Sequence, residues 1–489
     1  VGIVVKHSAW NLGMTAIGFM LGAANTLLLA THYLDDNYYG LWGYVLSTAF
    51  LLFPLMSFGI HNTLVKFYSS YHLKEDQDAF LTQMLLLPLL IIIPGVFLVY
   101  LFESDIAALI SRVNAMVSGY VWHIIVIAIF QAYFEIFYAW VKVQMKTIGG
   151  NFIKEVFYRA AATVLLVLVM LDIITQEQFI DALVIVYILR CGIMMALALK
   201  TYRPVFKLTK SSFTRDIVNY SLLMIVAGSV GTTLIDLDKY MINQYLDIDT
   251  ISYYGVAVYI ATVIAVPSRG MSQITHPLTA GFYNRKDMKS LENLYKRSSL
   301  NLSIISGFLM VIILCNVHEF YNFLPDEFAI AIPVVFIISI VKFAENVAGS
   351  NNAILYNSDL YKVTLWLGLG LAVIAVVLNV LLIPIYGLLG AAISTCIAFI
   401  TYTLTKVLYV HYKLKVDPWT PDTWKVLLLI IVTLGIFVFW NFDWNIYLNI
   451  GFKSALISLF YIGLVYKLKM SAEISGLIFK SLQKLKARL

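Results

Sequence analysis

VTLWLGLGLAVIAVVLNVLLIPIYGLLGAAISTCIAFITYTLTK, residues 363–406, decides the architecture, because no side chain between Lys362 and Lys406 carries a charge. A bilayer core of about 30 Å takes roughly 20 apolar residues per helix, so this run is read as two crossings, at about 362–383 and 387–411. A membrane barrel would show alternating segments of about 10 residues instead. In hydrocarbon the backbone must satisfy its own hydrogen bonds, which for uniform apolar runs of this length leaves the helix.

Working outward, the same reading places helices at about 9–30, 41–65, 80–102, 119–142, 157–172, 179–200 and 216–240, and again at about 250–272, 299–316, 329–350, 425–440 and 447–466. With hydrophobic residues at 61% and charged ones at 13%, too little polar surface is present to cover a water-soluble fold of this size. The expectation is an all-α membrane protein of about fourteen transmembrane helices. The first apolar stretch lacks a small-residue cleavage site and reads as a retained helix, the start at Val1 being ascribed to an alternative start codon or a trimmed end. Cys191, Cys315 and Cys396 all fall in apolar runs without metal-ligand spacing, so neither a metal site nor a disulfide is expected.

Basic residues test the crossing count, since short cytoplasmic loops carry them in excess. With the N-terminus inside, thirty of the 34 fall on inner segments, the exceptions being Arg112, Lys239 and Lys453 outside and Arg190 in mid-membrane. Both termini are therefore expected in the cytoplasm. The outer loops, such as Asp35-Asp36 and Asp326-Glu327, are short and acidic, and no soluble segment is long enough to hold an active site. That argues against an enzyme, and the placement of the basic residues argues against nucleic acid as a partner. The tail from Lys467 to Leu489 alternates basic and apolar residues at helical spacing, as expected of a segment lying on anionic membrane lipids.

An internal repeat organises the rest. YLDDNYYG (33–40) and YLDIDTISYYG (245–255) each open a helix carrying a proline, Pro54 or Pro267, and each leads to a polar inner loop, KFYSSYHLKEDQDAF or GFYNRKDMKSLENLY. Six crossings separate the copies, so the halves share an orientation, as in parallel-repeat transporters. The expected division is an N-terminal six-helix lobe at 1–210, a pseudo-symmetric second lobe at 211–415, and two further helices with a basic tail at 416–489. Paired lobes supply the bistable element that alternating access requires.

FGIHNTLVKFYSSY (58–71), LIDLDKYMINQYL (234–246) and NVLLIPIYGLLGAAIST (379–395) resemble polysaccharide-transporter members of the multidrug and oligosaccharidyl-lipid flippase superfamily. The most distinctive is the Asn-(x)4-Pro-(x)2-Gly-(x)2-Gly-Ala-Ala pattern entering the twelfth helix. The resemblance covers nearly the whole chain. It implies two six-helix lobes plus two appended helices, located in the bacterial inner membrane. It also implies the movement of an undecaprenyl-diphosphate-linked oligosaccharide to the periplasmic leaflet for O-antigen, capsule or exopolysaccharide, with glycan polymerases and glycosyltransferases as protein partners. SAWNLGMTAIGFMLGAANTLLLA (8–30) has no charged residue, whereas drug exporters of the superfamily often carry an acid there and lipid II flippases often carry arginines around their cavity. A cation-coupled exporter of small amphiphiles is the alternative, and a membrane enzyme of glycan assembly the third reading. No cofactor is implied; the driving ion, H+ or Na+, is left open.

Ionisable groups at membrane depth are the candidate site. Arg190 could fork onto a diphosphate or pair with a neighbouring helix. Lys342 and Glu345, three apart on one helix, read as substrate or ion-coupling contacts, or as an ion pair at the helix end. Glu135 reads as a proton carrier, or as a partner of Lys142. Arg159 could meet the diphosphate or snorkel to headgroups. Asp236, Asp238 and Lys239 form either an external gate or a solvated helix end.

Overall fold

The computed structural model describes residues 2–144, 146–206, 215–227, 230–358, 360–440 and 444–486. Lys207, Lys210, Arg488 and the expected 210/211 lobe boundary lie outside the described residues. Among those described, regular structure is helical throughout, with no strand. Eleven helices are long and apolar enough to cross a bilayer, and the protein is a polytopic helical membrane protein. The other three expected crossings are helical too, but each is short or interrupted. Tyr158–Met170 has 13 residues and follows the charged Lys154 and Glu155; Arg215–Ala227 and Val230–Asn243 flank two residues outside the description; Pro421–Phe437 has 17. Fourteen crossings is a proposal that depends on these three.

The chain packs as two units, residues 1–255 with 368–391, and residues 256–367 with 392–489. In the first, the 121–143 helix is central and buries residues around most of its circumference, including Ala128, Gln131, Phe134 and Trp140. Gln176–Thr201 starts on a capping box between Thr175 and Gln178. Its buried positions, Phe179, Leu183, Val186, Tyr187, Arg190, Met194 and Ala198, recur at helical spacing, while Ile185, Leu189 and Ile193 stay exposed. One face is thus set against protein and the other against lipid, and Arg190 belongs to the first.

The expected 41–65 helix is instead two, Asp36–Met56 and Ile60–Phe67. Phe58 and Gly59 break it with φ of 52° and 63°. The left-handed conformation favours glycine, and a Cβ at Gly59 would run into the Ser221 carbonyl.

In the second unit the expected polar loop 281–295 is also mostly helix. Val266–Asn284 and Met288–Tyr321 are separated by a turn at Arg285–Asp287, where Lys286 has φ of 57° and the Asp287 side chain accepts the Ser290 N–H at 3.0 Å. Leu291 and Tyr295 lie in a core with Ile354, Leu355, Val410 and Val416, so an amphipathic face holds this polar stretch in helix. The 34-residue 288–321 helix is the spine on which 332–347, 421–437 and 446–467 pack. Lys453, placed at the outer side by the sequence reading, is buried instead and pairs with buried Glu319 at 2.9 Å. The tail is a helix at Ala472–Lys486, tied to the spine by the Arg297–Glu473 ion pair and by Ser471 Oγ donating to Asn301 Oδ1 at 2.6 Å.

Candidate functional site

In the first unit two π-helical turns, Ala24–Leu29 and Ile153–Phe157, lie in neighbouring helices. Asn25 joins them, its Nδ2 donating to the Arg159 carbonyl at 2.8 Å while its Oδ1 accepts from Thr163 at 2.7 Å. Gly18 admits the Glu155 carbonyl so closely that a methyl there would overlap it. A π turn lengthens the hydrogen-bond ladder and leaves carbonyls for other partners. Arg190 takes them. Its Nη2 donates to the Lys154 carbonyl at 3.1 Å, its Nε to the Ile153 carbonyl at 3.4 Å and its Nη1 to Gln131 Oε1 at 2.9 Å. The guanidinium also lies 3.8 Å from the centre of the Phe134 ring, and only 6% of the residue is exposed.

Gln131 passes the contact on, donating from Nε2 to Glu135 Oε1 at 3.3 Å. Glu135 pairs with Lys154, at 2.8 and 2.9 Å to its two oxygens, and not with Lys142 as weighed from sequence. Lys142 lies 5.5 Å and Lys154 4.7 Å from the Tyr138 ring, whose hydroxyl donates to Asn151. Arg159 pairs with Glu155 at 3.1 Å on its own helix. Four cations and two carboxylates therefore share this region. Lys154 carried no sequence signal beyond its charge, since its role depends on the π turn, which no residue pattern announces.

Elsewhere in the unit, Asp238 is fully buried, contrary to the reading of a solvated helix end. Its carboxylate accepts from Tyr254 at 2.5 Å and from Asn379 Nδ2 at 2.9 Å, while Asn379 Oδ1 is a buried acceptor with no hydrogen-bond donor among the described residues. Asp236 and Lys239 are half-buried on the same helix. Oxygen donors of this kind suit a hard cation or a proton. Asn379 opens the Asn-Pro-Gly-Gly pattern read from sequence, and Gly40 of the first repeat motif packs against the Ile248 backbone, where a Cβ would overlap the carbonyl. A cleft of about 520 Å³ lined by Asp35, Asn37, Tyr38 and Gln176 lies nearby. Its polar groups bind one another, Asp35 Oδ1 accepting from Asn37 N at 2.9 Å and Gln176 Oε1 from Asp35 N at 2.8 Å.

In the second unit, Lys342 and Glu345 are brought together as their spacing suggested, but at a loose 3.6 Å. Lys342 lies 5.4 Å from the Phe399 ring. About two turns beyond Phe399 on the Leu388–Leu414 helix, Lys406, read from sequence only as a topology marker, is 5% exposed. Its ammonium donates to Asn352 Oδ1 at 2.8 Å and lies 4.0 Å from the Tyr402 ring.

The fold is similar to that of solved transporters of the multidrug, oligosaccharidyl-lipid and polysaccharide (MOP) superfamily. Among solved structures, the lipid II flippase MurJ in an inward closed conformation matches with a TM-score of 0.74 and 15% identity, over 96% of this chain and 100% of that one. An inward-facing multidrug resistance MATE family transporter matches with a TM-score of 0.63 and 13% identity, over 83% and 98%. A MOP superfamily transporter from Pyrococcus furiosus matches at 0.58 and 15%, over 84% and 95%. These likenesses show the fold. In sequence, the probable low-salt glycan biosynthesis flippase Agl15 of Haloferax volcanii is 25% identical over 241 residues, 48% of this chain and 49% of that protein. The match thus spans about half the length of that relative. No protein-family model matches.

Proposed function

We propose that this protein flips an undecaprenyl-diphosphate-linked oligosaccharide across the bacterial inner membrane by alternating access of two six-helix lobes, for O-antigen, capsule or exopolysaccharide. The observation that carries this reading is the sign of the charge on its membrane helices. Lys154 pairs with Glu135 and Arg159 with Glu155 while Lys142 and Arg190 lie beside them, and Lys342 pairs with Glu345 while Lys406 meets Asn352 and the Tyr402 ring, so cations outnumber carboxylates at these positions in both units. Such a surplus suits a diphosphate and repels the cationic amphiphiles of a drug exporter. Arg159 and Lys342 are assigned to the diphosphate. Arg190, whose donors are taken up by Gln131 and two carbonyls, acts on substrate through the π turn that presents Lys154. Glu135 and Glu345 are assigned to gating or coupling. Asp238, with Asn379 and the neighbouring Lys239, is assigned to the coupling ion, H+ or Na+. Glycosyltransferases and a glycan polymerase supply and consume the cargo.

The test is genetic. Deleting the gene should abolish one surface glycan while its lipid-linked precursor accumulates on the cytoplasmic leaflet, and the intact gene should restore it. An unchanged glycan profile, with altered tolerance of cationic drugs, would favour the exporter.

A further inference from the structure

The planar end of an amide or carboxylate carries two polar atoms, and a fold that ties down one of them holds the other at a fixed place. The cleft of about 520 Å³ in the first unit is lined by three side chains used in this way. Asp35 caps the 36–56 helix, its Oδ1 accepting from Asn37 N at 2.9 Å and from Asn37 Nδ2 at 3.0 Å. Gln176 Oε1 accepts from Asp35 N at 2.8 Å, which sets the two residues side by side. Asp35 Oδ2, Asn37 Oδ1 and Gln176 Nε2 have no hydrogen-bond partner among the described residues. The cleft is thus offered two acceptors and one donor in a fixed array.

Another of its walls is held as firmly. Asn114 donates from Nδ2 to the Leu246 carbonyl at 2.9 Å and to Asn243 Oδ1 at 2.9 Å, and its Oδ1 accepts from Ile248 N at 3.0 Å. Tyr38, Val113 and Met116 add an aromatic ring and apolar surface. No basic side chain lines the cleft, and its one carboxylate is too few for a divalent cation, so neither a phosphate nor a metal suits it. What suits it is a molecule whose hydroxyls donate and accept at once and whose C–H face packs on a ring. The volume is within the roughly 300–1,000 Å³ usual for a small-molecule site.

We infer that this cleft is a saccharide-binding site, which takes sugar rings of the transported glycan by their hydroxyls, apart from the charged groups assigned to the diphosphate. That the saccharide belongs to the cargo rests on the flippase reading; that the cleft takes a saccharide rests on its own polar array. In the orientation expected from the basic residues the cleft opens on the outer face, so it holds the glycan after crossing.

The test swaps the presented atom and keeps the tied one, which a merely structural role would not register. Asp35→Asn retains an oxygen for the helix cap and turns the free acceptor into a donor. Gln176→Glu retains an oxygen for Asp35 N and turns the free donor into an acceptor. The probe is the oligosaccharide released by mild acid from the lipid-linked precursor that accumulates when the gene is deleted, free of lipid and diphosphate. The purified full chain should bind it saturably, and each variant should bind it about tenfold more weakly, the loss expected for one hydrogen bond. Unfolding temperatures should stay near that of the natural chain, and either variant suffices if the other does not fold. Inorganic pyrophosphate should not compete. No binding by the natural chain, or equal binding by the natural chain and both variants, overturns the saccharide site, while accumulation of the precursor leaves the flippase reading standing. Competition by pyrophosphate makes this a phosphate contact and also overturns it. If no precursor accumulates, the flippase reading falls, and the assignment of cargo sugars to the cleft falls with it.

Discussion

Replacing Lys453 by methionine removes one member of the buried pair with Glu319. The residues are 1% and 7% exposed, the separation is 2.9 Å, and the pair links the 288–321 spine to the 446–467 helix. At an effective dielectric constant of about 20 the Coulomb attraction at this distance is about 6 kcal/mol, partly offset by the desolvation of both ions. The single change leaves Glu319 with Asn449 at a long 3.5 Å, so the full cost of a buried carboxylate is exposed. The expected loss is about 3–5 kcal/mol, as for other buried pairs broken on one side. The double change Glu319→Leu with Lys453→Met removes both charges and should recover most of that loss. Thermal unfolding of the detergent-solubilised protein, followed by fluorescence, reads the effect. A Lys453→Met variant that unfolds at the unmodified temperature, or a double variant no better than the single, would refute the reasoning.

Gly59→Ala combines a left-handed φ with a collision against the Ser221 carbonyl and should destabilise by more than about 1 kcal/mol; an unchanged unfolding temperature would contradict this. Asp238→Asn should leave the protein folded and abolish the dependence of transport on an H+ or Na+ gradient, so persistence of that dependence in reconstituted vesicles counts against the coupling role. Arg190→Lys keeps the charge but loses the planar fork across Gln131 and two carbonyls. It should lower both stability and glycan export, and full export by this variant would separate Arg190 from the site.

The fold was legible where composition alone decides. Uniform apolar runs dictate helices, and among the described residues each of the expected segments is mostly helical, with a break at Phe58–Gly59 in the second. What composition could not reveal was the facing of each helix, because lipid and protein core select the same side chains. Lys406 and Lys453 therefore read as interface charges, although packing buries them. Asp238 looked solvated for the same reason, since Asn379, which donates to it, lies 141 positions away in sequence. Local spacing did identify the Lys342–Glu345 pair, whose members share one helical face. It failed for Glu135, because the π turn that delivers Lys154 has no sequence signature and made Lys142 seem the nearer cation. The break at Phe58–Gly59 was masked by apolar neighbours that suit a helix on either side.

Reconstitution into vesicles containing a labelled polyprenyl-diphosphate oligosaccharide tests the central claim most directly. The account predicts that vesicles holding the protein move the glycan headgroup between leaflets far faster than protein-free vesicles, and that inorganic pyrophosphate slows the movement. A rate equal to that of empty vesicles, alongside transport of a cationic dye by the same preparation, would contradict it.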